Sequence, residues 1–206
     1  MLDNKLIFKN VVFDLGGVLI DWNPRYLYRQ LIPDEAKMED FLGRVINEEW
    51  SKKEDIGQPL NETIREFSKE YPHEEHLIEA YQKRWPETLG SEIFETVAIL
   101  KELKQNKINL YALTNWSCET FHHAKSRFAF LEDFLDIVVS GEEKVIKPDP
   151  EIYKILLNRN GLKAGETVFI DDRLVNVKGA EDIGMHGLHF TSPENLSLEL
   201  KKLNLI

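Results

Sequence analysis

Four short, mainly apolar runs, each cut off by polar residues or glycine, constrain this chain more than any other feature. Val11-Val12-Phe13 runs straight into Asp14, with Gly16 and Gly17 close behind. Ile108 to Leu113 ends at Thr114-Asn115, Ile137-Val138-Val139 at Ser140-Gly141, and Val168-Phe169-Ile170 at Asp171-Asp172. Gly187 to Phe190 is a weaker fifth run. Short, continuously apolar runs rich in β-branched residues read as strands covered on both faces. Helical patterns lie between them. Val97, Leu100 and Leu103 share a face of Ile93 to Lys104, and Ile152, Ile155 and Leu156 share one in Glu151 to Asn158. Asp149 is a suitable N-cap for the second helix, Pro150 suits its first turn, and Gly161 lies just past its end. Strands alternating with such helices predict an α/β fold built on a doubly wound parallel sheet with right-handed crossovers.

The stretch from about Pro24 to Gly90 breaks the alternation. It holds no convincing strand and reads as four amphipathic helices: Arg25 to Leu31, Asp34 to Ile46, Leu60 to Glu70 and His73 to Trp85. Asn23-Pro24 is a helix start, Asn61 a candidate cap, and Pro72 and Pro86 mark later boundaries. The block is too long for a simple crossover. The expected organisation is therefore an α/β core of residues 1–22 and 91–206, with a helical cap of residues 23–90 inserted after the first strand. Hinges are expected near Asp21 to Asn23 and near Pro86 to Ser91.

Composition narrows the function classes. Over 206 residues the formal net charge is -10, which disfavours nucleic acid or anionic membrane as a general partner. An acidic chain that binds an anionic substrate must provide positive charge locally. The single cysteine, Cys118, forms no intrachain disulfide and reads as a small buried residue. Met1 to Asn10 carries charge and lacks the apolar core of a leader. No apolar run reaches the about 18 residues that span a bilayer. The expected location is cytoplasmic.

In open α/β sheets ligands bind at the carboxyl ends of the strands. Asp14, Thr114-Asn115, Lys147 and Asp171-Asp172 all fall at or after such ends. Each alone is compatible with a cap or a turn. The adjacent Asp171 and Asp172 are less ordinary, because neighbouring carboxylates repel and favour a cation or donor between them.

Together these segments resemble the four motifs of the haloacid dehalogenase-like (HAD) hydrolase superfamily, and the resemblance spans nearly the whole chain. Phe13-Asp14-Leu15-Gly16-Gly17-Val18-Leu19 is similar to the first motif and Leu113-Thr114-Asn115 to the second. Lys147-Pro148-Asp149-Pro150 is similar to the third, and Phe169-Ile170-Asp171-Asp172 to the fourth. The insertion lies where the family's subclass I cap lies. Gly57-Gln58-Pro59-Leu60 resembles a cap turn of sugar-phosphate phosphatases and of the phosphatase domain of soluble epoxide hydrolase. The resemblance implies a Mg²⁺-dependent phosphohydrolase acting on a small phosphorylated metabolite, such as a sugar 1-phosphate. In that scheme Asp14 attacks phosphorus and forms an aspartyl-phosphate. Asp14, Asp172 and the Gly16 carbonyl hold Mg²⁺, and Asp171 joins them directly or through water. Thr114 and Asn115 hold phosphate oxygens, and Lys147 neutralises charge on them.

The chain departs from the family pattern at position 16. Most phosphatases of the family carry a second Asp there as general acid and base, and Gly16 has no side chain for either task. Asp21 is one candidate substitute. The same absence keeps two alternatives open: a metal-independent 2-haloacid dehalogenase, and a HAD-like binding or regulatory protein without turnover. Trp22 and Trp116 read equally as pocket walls and as core. His122-His123 reads as surface or packing, and Glu142 to Lys144 as solvated surface. Asn176 is a candidate for orienting Lys147 or the metal ligands.

Overall fold

The computed structural model describes residues 8–206. The reading of the first residues as leader-free and the apolar pair Leu6-Ile7 lie outside the described residues. Five strands form one parallel sheet: β1 (Asn10–Phe13), β4 (Asn109–Thr114), β5 (Asp136–Val139), β6 (Thr167–Asp171) and β7 (His186–His189). Their order is β5-β4-β1-β6-β7, so the strand carrying Asp14 is central. Two further strands, β2 (Ile20–Trp22) and β3 (Leu89–Glu92), pair antiparallel as a separate ribbon.

The sheet is covered on both faces. Val11, Phe13, Leu110, Ala112, Val168 and Ile170 enter one apolar cluster, while Val12, Tyr111, Leu113 and Phe169 enter another. Alternate side chains of a strand point to opposite faces, so unbroken apolar runs are what such a strand needs. The helices over these faces are α6 (Phe94–Gln105), α7 (Phe121–Arg127), α8 (Ser140–Glu143), α9 (Pro150–Asn160), α10 (Leu174–Asp182) and α11 (Pro193–Lys202), numbered after the five described below. The ends of α9 are as expected: Asp149 accepts from Glu151 N–H, Pro150 is first, and Gly161 closes the helix at φ +62°.

Register is pinned at the amino end of the strands. Asn10 is buried, and its side chain donates to Thr167 Oγ1 at 3.2 Å and accepts from Asn109 Nδ2 at 3.0 Å. One amide thus ties β1 to both neighbours. Phe13 then lies opposite Ala112 and Ile170, which brings Asp14, Thr114 and Asp171 to one edge.

Between β2 and β3 lie α1 (Arg25–Leu31), α2 (Glu35–Arg44), α3 (Glu48–Asp55), α4 (Leu60–Glu70) and α5 (Glu75–Arg84). Four of them follow the expected pattern, and Arg25 N–H donates to Asn23 Oδ1 at the first start. Asn61 does not cap α4; its side chain instead accepts from Gln82. Helix α3 was not expected. Its sequence, Glu-Glu-Trp-Ser-Lys-Lys-Glu-Asp, has one apolar residue and so no hydrophobic period. Asn47 caps it by accepting from Glu49 and Trp50 N–H, and Trp50 is fully buried against Phe67 and Tyr81. The stretches expected as hinges overlap the β2–β3 ribbon. Among the described residues, no helix is long and apolar enough to cross a membrane.

Candidate active site

The carboxyl edge of the sheet opens into a cavity of about 290 Å³, roofed by the helical segment. Asp14, Gly16, Thr114, Asn115, Lys147 and Asp172 line it from below, and Glu54, Asp55 and Tyr81 from above. Lys147 is the centre of charge. It is 2% exposed, and its Nζ lies 2.9 Å from Asp14 Oδ1, 2.7 Å from Asp171 Oδ2 and 2.8 Å from the Leu113 carbonyl. Burial pushes its ammonium down, but the two carboxylates outweigh it and hold the lysine charged.

Asp14 is buried at the end of β1. Leu15 N–H and Lys147 both donate to its Oδ1, and no described residue donates to Oδ2. Burial pushes its carboxyl up to about 7 despite the pull of Lys147. Asp172 is pushed up as well, by burial and by the charge of Asp171. Asp14, Asp171 and Asp172 each offer an oxygen within 4.8 Å of the others. Three carboxylates against one lysine leave excess negative charge beside the backbone of Gly16, an all-oxygen donor set of the kind Mg²⁺ takes. The residues present fit that ion.

Within the cluster the three aspartates differ. Asp171 is fully buried and both its oxygens are engaged: Oδ1 accepts from Arg173 N–H and Asn176 Nδ2, and Oδ2 from Lys147 and Asn176 Nδ2. Ligating a metal directly would break one of these bonds, so the geometry gives Asp171 to the lysine. Asn176 reaches Lys147 only through Asp171. Asp172 faces the turn after β1. A Cβ on Gly17 would lie 2.7 Å from its Oδ2, and Gly17 sits at φ +74°, so only glycine lets the turn pass there. At Gly16 a Cβ would meet nothing within 4 Å, so the space normally held by a side chain is open.

Thr114 and Asn115 both line the cavity, but the Asn115 side chain is engaged elsewhere. It accepts from Lys147 N–H at 2.9 Å and donates to the Lys147 carbonyl at 3.1 Å, clamping the lysine's backbone. Trp22 and Trp116 both line the pocket, with Trp85 5.8 Å from Trp116 between ring centroids. Asp21 does not line it; Tyr26 Oη donates to its carboxylate at 2.5 Å. Cys118 is exposed, contrary to expectation, because the loop after β4 turns it outward beside Glu119. His123 stacks on Trp85, and Lys144 is more than solvated surface: its Nζ donates to the Gly57 carbonyl at 2.7 Å.

The sequence reading missed Arg173, Glu54, Asp55 and Tyr81. Arg173 follows directly on the last strand-end pair and was legible by position alone. Glu54 sits four residues after Trp50, on the same buried face of α3. It is 5% exposed, Tyr81 Oη donates to its Oε2 at 3.2 Å, and its Oε1 has no partner among the described residues. Burial pushes its carboxyl up to about 8.

Residues 8–184 match the haloacid dehalogenase-like hydrolase family. The chain belongs to that family. This HAD hydrolase is 31% identical over 197 residues to a sesquiterpene phosphatase of Aspergillus oryzae, covering 95% of this chain and 96% of that one. It is 27% identical over 184 residues to a phosphorylated carbohydrates phosphatase of Thermotoga maritima, covering 87% and 83%. Among solved structures, a HAD family enzyme of Bacteroides thetaiotaomicron in complex with magnesium and inorganic phosphate superposes with a TM-score of 0.69. That pair is 26% identical and covers 89% of this HAD chain and 94% of the other.

Proposed function

We propose that the protein is a Mg²⁺-dependent phosphohydrolase that cleaves a small phosphate monoester with an uncharged organic part, through an aspartyl-phosphate on Asp14. One observation carries the reading: a buried carboxylate with a free oxygen stands beside a charged lysine and a second carboxylate, at the floor of a cavity roofed by the helical segment. The Bacteroides relative crystallised with magnesium and inorganic phosphate supports it.

In this reading Asp14 Oδ2 attacks phosphorus in line with the ester oxygen, and two easier displacements replace one hard one. Lys147, held by Asp171 and by the Asn115 clamp, faces the transferring oxygens and stabilises their charge. Thr114 and the backbone of the loop after it hold the remaining oxygens. Asp14, Asp172 and the Gly16 carbonyl hold Mg²⁺, which screens the approach of a carboxylate to an anion. Asp171 positions the lysine.

The organic half of the substrate meets aromatic rings from Trp22, Tyr81, Trp85 and Trp116. Besides Lys147, which Asp14 and Asp171 hold, the lining offers one cation, Arg173, paired with Glu48 at 3.3 Å, so a substrate with several further negative charges would lack counter-charge. The Aspergillus relative named a sesquiterpene phosphatase supports an apolar group over a polyanionic one. With a single cysteine, the chain suits a reducing compartment such as the cytoplasm.

The test is a Mg²⁺-dependent screen of prenyl monophosphates, sugar phosphates and pyrophosphate, with Asp14→Asn as control. Neutral monoesters should turn over, and EDTA or Asp14→Asn should abolish it. Turnover that survives metal removal, or an Asp14→Asn rate equal to wild type, would refute the reading. Metal-free release of halide from 2-haloacids would replace it with the dehalogenase.

A further inference from the structure

Position 16 leaves an enzyme of the proposed kind without a proton for its leaving group, so the group that supplies it must come from elsewhere in the cavity wall. Asp21 is held by Tyr26 outside the lining. Asp171 is engaged with Lys147 and Asn176, and Asp172 belongs to the proposed cation site. Two carboxyls remain, Glu54 and Asp55, both on the last turn of α3 and both lining the cavity that holds Asp14 and Gly16. We propose that Asp55 performs the proton transfer that Gly16 cannot, reaching from the helical segment into the space left open at position 16. The inference rests on the aspartyl-phosphate reading and deepens it.

The anchoring of α3 favours this assignment. Ser140 Oγ donates to the Asp55 carbonyl at 2.6 Å and accepts from Trp116 N–H at 3.0 Å, so one hydroxyl ties Asp55 to the loop that follows Thr114. Two residues on, Gly57 sits at φ +75° and is pressed so closely onto Gly141 that a Cβ would lie 2.3 Å from its carbonyl oxygen. Asp55 is therefore fixed relative to the phosphate loop by backbone contacts and needs no rearrangement of the segment to stay there. Proton transfer depends on such fixed geometry before it depends on acidity.

The electrostatics agree. Burial pushes the Asp55 carboxyl up to about 7, while Lys147 and Arg173 draw it down from the core side. An acid in that range exists in both protonation states near neutrality, as one group serving two opposite proton transfers requires. The other charged groups around it are engaged. Lys144 is bound to the Gly57 carbonyl, Glu119 accepts from Leu60 N–H, and Glu54 from Tyr81. Glu54 is committed within the helical segment, accepting from Tyr81 Oη at 3.2 Å, whereas Asp55 is the residue of α3 whose backbone is tied to the core by Ser140.

The cycle balances. As the Asp14 oxygen bonds to phosphorus, the bond from phosphorus to the ester oxygen breaks, and its electron pair leaves on that oxygen. The oxygen takes the proton of Asp55, and the alcohol departs. Asp55, now a carboxylate, removes a proton from the water that attacks phosphorus of the aspartyl-phosphate. Inorganic phosphate leaves, Asp14 is again a carboxylate, and Asp55 is again protonated. The net change is addition of one water across the ester.

The second half of this cycle runs in reverse with inorganic phosphate alone, so the test needs no knowledge of the natural substrate. Wild-type protein with Mg²⁺ and ¹⁸O-labelled phosphate should exchange oxygen with water, with Asp14→Asn as blank. Asp55→Asn should slow exchange by about 10²–10⁴-fold while its phosphate dissociation constant and melting temperature stay within twofold and a few degrees of wild type. Asp55→Glu should restore part of the rate. Exchange in Asp55→Asn equal to wild type would overturn this assignment and leave the aspartyl-phosphate reading standing. A loss of exchange matched by an equal loss of phosphate binding would also overturn it, by making Asp55 a scaffold residue. Wild-type exchange no faster than the Asp14→Asn blank would overturn both.

Discussion

At the scale of single residues, the site is a group of charges that burial has made interdependent. Glu54 shows the effect most cleanly because it is no candidate metal ligand. Its ordinary value is 4.5, and burial raises it to about 8 in the folded chain. Below the lower value it is protonated folded and unfolded, so it costs nothing. Between the two the unfolded chain loses the proton and the folded one keeps it, so stability falls as pH rises, by up to about 1.4 kcal/mol per pH unit. Glu54→Gln should therefore match wild type near pH 4 and become progressively more stable than it toward pH 8, read by denaturant melts across that range. A constant offset at all pH values would contradict the burial argument. Asp14, Lys147, Thr114 and Asp172 were legible in the sequence because they fall at or after the ends of apolar runs and their chemistry is complementary. The engagement of the Asn115 side chain with residue 147 was not legible. Nothing in Leu-Thr-Asn says whether an amide faces ligand or backbone, since that depends on how close a loop 32 residues later comes.

At the scale of elements, sequence reading succeeded where a periodic apolar pattern or a cap marked the element and failed where burial was achieved by one residue. Helix α9 has a marked beginning and end, and both were found. Helix α3 buries Trp50 and a glutamate among six other polar or charged residues, so no window of hydrophobicity marks it. The ribbon β2–β3 was missed for a different reason: its strands are 3 and 4 residues long and lie almost 70 positions apart. Attachment of α3 to the core includes the shared hydroxyl of Ser140, alongside the contact of Gly57 with Gly141 and the Lys144 bond to the Gly57 carbonyl. Ser140→Ala should leave Trp116 N–H and the Asp55 carbonyl without that partner and destabilise the fold by about 1–3 kcal/mol, measured by urea unfolding. KM for any turned-over monoester should rise with it. A variant as stable as wild type would mean that water replaces the hydroxyl at that junction.

At the scale of the whole molecule, a net charge of -10 and a negative cluster at the sheet edge mean that a cation bound there, as proposed, would add to stability. Binding to the folded state alone at a hundred times Kd stabilises by about 2.7 kcal/mol. Mg²⁺ should therefore raise the melting temperature of wild type. Asp172→Asn should abolish most of that shift and, by removing a like charge beside Asp171, melt higher than wild type in EDTA. The two melting curves should thus change order when the ion is added. A shift of the same size in both proteins would place the ion elsewhere.

The amide of Asn10 lies at the opposite end of the strands from every group discussed as chemical, yet it sets where they meet. Successive side chains of a strand alternate faces, so a one-residue slip of β1 would carry Asp14 away from Lys147 and turn Val12 and Phe13 into the wrong clusters together. A one-residue slip keeps none of the arrangement around Lys147. For this chain, catalytic competence and correct alignment are the same event, and a half-assembled sheet is silent rather than slow.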